Sequence, residues 1–171
     1  WRRLVHEAPA AAPIILLEAV ANPDNIGGVF RNAAAFGAAA VLLDPACSDP
    51  LCRKAVRTSM GAVLAVPFAR MTPWPAALDD LRARGWLVAA LATGGQVALD
   101  AFARTRGART RVAWLLGHEG NGLSRAALAA VDHTVRIPMA PGVDSLNLAT
   151  AAAPALYATT RPAPAGPVDR R

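Results

Sequence analysis

The chain has 171 residues, 54% of them hydrophobic and 18% charged, so it is long enough to bury a sizeable core and too apolar to be disordered throughout. The net charge is +6 and the pI near 10.9, with Lys54 the single lysine among 18 basic residues. No apolar run reaches the roughly 18 residues that span a membrane, and no signal peptide opens the chain.

Arginine makes planar, multidentate contacts with phosphates, which favours an anionic partner such as nucleic acid. A GC-rich genome raises arginine without any ligand, and composition leaves both readings open. Cys47 and Cys52 are the only cysteines, and no nearby His or second Cys pair completes a zinc pattern, so no metal is expected. Two reduced thiols fit an intracellular, cytoplasmic protein.

Apolar runs alternate with helical patterns along the chain. Residues 14–18 read as a strand, 27–36 as a helix stopped by Gly37, and 40–43 as a second strand. Asp49 and Pro50 read as an N-cap and first helical residue of a helix that Gly61 ends. Residues 63–68 look strand-like, 75–84 helical up to Gly85, and 86–92 and 111–116 are nearly uninterrupted apolar runs, as strands buried on both faces require. A short helix at 124–130, a strand at 134–137 and a helix at 146–160 follow, with Pro154 expected to kink the last. This alternation predicts an α/β fold with a mainly parallel sheet flanked by helices. Residues 1–13 form an N-terminal segment, read as a remnant of a longer protein, and 161–171 a Pro- and Ala-rich tail expected to be disordered.

Three polar turns follow strands, and ligands of open parallel sheets bind beyond strand carboxyl ends. In the first, from Asn22 to Asn32, Asn25 is expected to cap the helix, with Arg31 less than two turns further on. Gly27 and Gly28 do not form a dinucleotide fingerprint, because the G-x-G-x-x-G spacing is missing. The second, Gly117 to Ser124, has three glycines in six residues and Glu119 as its carboxylate; His118 reads as a surface residue without a catalytic role. In the third, Pro141 and Gly142 lead to Asp144, Ser145 and Asn147; Asp144 or Ser145 caps the last helix, and Ser145 serves alternatively as a phosphate contact.

Asn25-Ile26-Gly27-x-x-x-Arg31, Gly117-x-Glu119-Gly120-x-Gly122 and Ile137-Pro138-Met139 through Ser145-Leu146-Asn147, in this order, resemble the three motifs of the SpoU-type (TrmH-type) RNA ribose 2′-O-methyltransferases of the SPOUT superfamily. The similarity runs over residues 14–160. It implies a homodimeric domain with a C-terminal trefoil knot that holds S-adenosyl-L-methionine and methylates tRNA or rRNA. It implies further that Gly117, Ile137, Met139 and Leu146 contact the cofactor and that Thr93 and Gly94 close its far side. Arg31 matches the catalytic arginine, Asn25 the positioning asparagine, and Glu119 and Asn147 the remaining polar positions. RNA contacts then fall to Arg31, Ser145 and the basic residues Arg53, Lys54 and Arg57, although a merely solvated basic helix explains those last three equally. A ribose hydroxyl needs alignment and charge stabilisation more than a strong base, so Arg31 is expected to stabilise the oxygen or its phosphate. A non-catalytic RNA- or nucleotide-binding module of the same fold is the alternative.

Overall fold

The computed structural model describes residues 1–107 and 110–160. Among the described residues seven strands, β1 (Ile14–Leu17), β2 (Ala40–Leu43), β3 (Phe68–Arg70), β4 (Trp86–Leu91), β5 (Val97–Ala98), β6 (Arg111–Leu116) and β7 (His133–Arg136), form one sheet in the order β3-β2-β1-β6-β4-β7-β5. Every pairing is parallel. The mainly parallel α/β sheet expected from the alternation is therefore present. The expectation for the tail at 161–171 lies outside the described residues.

Alternation along the strands sorts the core into two layers. Ile15, Leu17, Trp114 and Leu116 face one side with Ile26 and Phe30 of α2 (Pro23–Ala35), Phe102 of α5 (Leu99–Thr105) and Leu156 of α7 (Leu148–Thr160). Ile14, Leu16, Ala113 and Leu115 face the other, against Val5 of α1 (Arg2–Glu7), Leu78 and Leu81 of α4 (Ala77–Ala83) and Ala127 of α6 (Arg125–Ala129). Both faces are covered, which is why these strands read as continuous apolar runs.

Several expectations need correction. Residues 63–68 are not one strand: a 3-10 turn at Ala62–Leu64 follows Gly61, and β3 begins only at Phe68, beyond Pro67. The helix expected from Asp49 starts later, as α3 (Arg53–Thr58); Asp49 Oδ1 instead accepts from Leu51 N at 2.9 Å, closing a local turn that competes with helix. Asn25 does not cap α2. Asn22 does, accepting from Asp24 N at 2.9 Å with Pro23 at the first helical position. The last helix is capped by Asn147 rather than Asp144 or Ser145, through bonds from Ala149 N and Thr150 N to its Oδ1. It continues through Pro154 to Thr160. Helix α5, β5 and α1 had no counterpart in the expected elements. Arg111 anchors α1 to the body, its Nη2 donating to the carbonyls of Val5 and Ala8.

Candidate active site

A cavity of about 1110 Å³ opens beyond the carboxyl ends of the four central strands β1, β6, β4 and β7. The chain leaves β1 toward β2 on one side, while β6 lies on its other side, so the crevice sits where the winding direction changes. Ala19, with φ +53°, turns the chain out of β1 toward Asn22; a left-handed alanine is strained, and it stands just before the site.

The second turn forms one wall. A Cβ on Gly117 would lie 2.6 Å from the Gly122 carbonyl, so only glycine lets the two ends of this turn approach. His118 and Gly122 pair as an antiparallel bridge, and Ser124 Oγ accepts from Ala127 N to start α6. Behind the turn lies Glu18, only 5% exposed, whose carboxylate accepts from Trp74 Nε1 (2.8 Å), Ser124 N (2.8 Å) and Ser124 Oγ (2.7 Å). A buried carboxylate requires such partners, and these fix the exit of the turn.

Three side chains from distant segments meet at the cavity. Asn147 Nδ2 donates to Asn25 Oδ1 at 2.7 Å, and Asn25 Nδ2 donates to Glu119 Oε1 at 2.8 Å. The direction is determined: the Asn147 oxygen is occupied by α7's first N–H groups, so its amide must donate, leaving Asn25 to donate to the carboxylate. Asn22 N adds a longer bond to the same Glu119 oxygen at 3.4 Å. The relay thus joins the starts of α2 and α7 to the second turn.

Thr93, Gly117, Ile137, Met139 and Leu146 line this cavity, as do Asn25, Glu119, Asn147 and Ser145. Gly94 does not. Its neighbour Gly95 is the buried one, its carbonyl receiving Arg136 Nη1 at 2.9 Å. Arg31 does not line the cavity either; it is exposed on α2, about 9 Å along the axis and about 240° around it from Asn25. Arg53, Lys54 and Arg57 are exposed on α3, also away from the cavity. Lys54 Nζ pairs with Asp24 at 2.8 Å, and that bond, with one from Thr58, holds the Asp24 carboxyl below its usual range. Helix α3 crosses α2 at Gly27.

His118 and Asn22 also line the cavity, and neither stands among the site residues expected from the sequence. His118 lines the cavity, and its Nδ1 accepts from Gly120 N and Asn121 N. A short polar residue before Pro was the available signal for Asn22.

The walls suit a cofactor with an apolar ring and a polar end. Leu91, Leu116, Val135 and Leu148 offer apolar surface, while Glu119, Asp144 and the turn backbones supply acceptors. Among the described residues no three His, Cys, Asp or Glu side chains group to hold a metal, and no helix is long and apolar enough to cross a membrane.

The model of the SpoU rRNA Methylase family matches residues 12–157. An uncharacterized tRNA/rRNA methyltransferase of Mycobacterium tuberculosis is 45% identical over 151 residues, covering 88% of this chain and 52% of that protein. The chain therefore spans about half the length of the curated relatives it matches. An AdoMet-bound rRNA methyltransferase from Sinorhizobium meliloti is similar with a TM-score of 0.79 and 32% identity, over 91% of this chain and 59% of that one. A protein solved to explain 2-OH methylation of C/U34 on tRNA has a TM-score of 0.74 and 31% identity, over 87% of this chain and 94% of that one.

Proposed function

The chain belongs to the SpoU rRNA Methylase family, and from that premise we propose that it transfers a methyl group from S-adenosyl-L-methionine to a ribose 2′-hydroxyl of tRNA or rRNA. The observation that carries this reading is the Asn147–Asn25–Glu119 relay on the wall of the central cavity. When bound, the cofactor supplies a methyl carbon already activated by its sulfonium.

The protein's task is then alignment and charge. Thr93, Gly117, Ile137, Met139 and Leu146 hold the cofactor, and Gly94 shapes the loop beyond β4. Asn25, oriented from both sides, positions the reacting ribose. One oxygen of Glu119 is spent on Asn25 and Asn22, while Oε2 accepts no hydrogen bond among the described residues and is available to a donor. Ser145 stands on the same wall to meet the RNA.

Arg31 is assigned to stabilise the ribose oxygen or its adjacent phosphate. Its place on α2, away from its own cavity, supports a homodimer in which Arg31 serves the cavity of a second copy. Co-expressing Arg31→Ala and Asn147→Asp chains tests this: action across the dimer restores one intact site in each mixed dimer, and action within one chain restores none. Arg53 and Arg57, with no partner among the described residues, extend the cationic surface toward RNA, with Lys54 beside them. The return of α7 to α2 fits the trefoil knot implied by the family.

Calorimetric titration with S-adenosyl-L-methionine and with NAD(H), followed by labelled methyl transfer to RNA and nuclease mapping, tests the reaction. Binding of the sulfonium cofactor and a 2′-O-methyl product is the expected result. Binding without transfer to any RNA would favour a non-catalytic module of the same fold.

A further inference from the structure

We propose that neutral His118 is a positioning residue, holding the turn from Gly117 to Gly122 in the conformation that keeps Glu119 on Asn25. The cofactor reading above enters only the second readout of its test. His118 Nδ1 accepts from Gly120 N at 2.9 Å and from Asn121 N at 3.1 Å. A ring nitrogen that accepts carries no proton, so the imidazole is neutral with its hydrogen on Nε2. The His118 carbonyl also accepts from Gly122 N at 2.9 Å, so side chain and backbone together close the turn.

Glu119 stands between His118 and one of the two amides that His118 holds. Its carboxylate reaches Asn25 across 94 residues, so a shift of the turn is a shift of the relay. A proton on Nδ1 would point at two N–H groups, replacing two attractions by repulsion. The turn is therefore closed with neutral His118 and released with its imidazolium.

Of the charged groups, Glu119 and Asp144 line the same cavity as His118, and Glu18 lies behind the turn against Ser124; among the described residues no Lys or Arg lines the cavity. Asparagine at 118 offers an oxygen to the same amides without changing charge, and leaves all three carboxylates in place.

Backbone NMR of the 171-residue chain from pH 8 to 5 provides the test, over the range in which imidazoles change charge. The Gly120 and Asn121 amides should lose at least about tenfold in exchange protection, in step with ring protonation, as expected for two lost hydrogen bonds. In His118→Asn the protection should not follow pH, and in His118→Ala it should be low throughout. Amides that stay protected while the ring protonates would overturn the proposal. Calorimetry with S-adenosyl-L-methionine over the same range is the second readout, with affinity falling in the unmodified chain and not in His118→Asn. Equal pH dependence in both would overturn the positioning role. Absence of binding at every pH, with the amide titration intact, would reject the cofactor reading and leave the turn assignment supported.

Discussion

Asn147 donates from Nδ2 to Asn25 Oδ1 at 2.7 Å, joining residues 122 positions apart. The same Asn147 caps α7 through its oxygen, so one side chain both starts a helix and orients the residue that holds Glu119.

These two roles separate in Asn147→Asp. Aspartate keeps an oxygen for the Ala149 and Thr150 amides, so the helix cap survives and the melting temperature should move only by what the lost bond to buried Asn25 costs, about 1–3 kcal/mol. It loses the donor and faces the Asn25 carbonyl. Methyl transfer should fall on the order of 100-fold, the effect of roughly 2–3 kcal/mol at the transition state. Steady-state kinetics beside a thermal melt checks both, and unimpaired turnover would remove the relay from the chemistry.

Gly27→Ala sets helix propensity against packing. Alanine is favoured in a helix by about 1 kcal/mol. Its Cβ would lie 2.7 Å from the Ala55 carbonyl oxygen and 2.8 Å from Thr58 Cβ, and backbone cannot swing aside as a long side chain can. Overpacking should win, with a net loss of about 1–2 kcal/mol in denaturant unfolding. A more stable variant would show that α2 and α3 separate freely.

Much of this was legible in the sequence, for identifiable reasons. Strands β1, β2, β4 and β6 are covered on both faces, so each is an apolar run of the right length. The turns after β1, β6 and β7 carry the motif residues, and Thr93, Gly117, Ile137, Met139 and Leu146 line one cavity. Residues 63–68 were ambiguous, because a short apolar run does not distinguish strand from turn and Pro67 breaks it. Two-residue β5 leaves no period. Helix α5 did leave one, Leu99 and Phe102 on one face and an Asp100–Arg104 pair on the other, but it is only seven residues long. The relay lay beyond reach. Which amide meets which carboxylate depends on tertiary approach, and because Asn22 caps α2 the Asn25 side chain is left for Glu119 and Asn147.

Glu18→Gln tests the buried support of the second turn. Three donors converge on the carboxylate, whereas a glutamine amide offers one acceptor oxygen and turns an NH₂ toward the remaining donors. A loss of about 2–3 kcal/mol is expected as the Ser124 N–H on Oε2 loses its acceptor, with a change in Trp74 fluorescence as the oxygen facing its indole loses its charge. Neither effect would appear if water served the same donors.

Burial pushes the Cys47 thiol up to about 12, further aided by Asp44 and opposed by the Val20 amide and Arg70. Its folded value lies above its ordinary 9.0, so its contribution to stability is fully present below about pH 9 and declines as pH rises toward about 12. Denaturation midpoints should drop between pH 8 and pH 10.5, by less in Cys47→Ala. In Cys52→Ala, thiol reagents at pH 8 should reach Cys47 only in denaturant; rapid labelling of that native variant would contradict its burial.

Methylation of a ribose hydroxyl is tested by transcriptome-wide mapping of 2′-O-methyl groups in cells with and without the gene. A ribose methyl in tRNA or rRNA should disappear with the gene and return with the intact sequence, but not with Asn147→Asp. An unchanged ribose-methylation map, or loss of a methyl from a base alone, would contradict it.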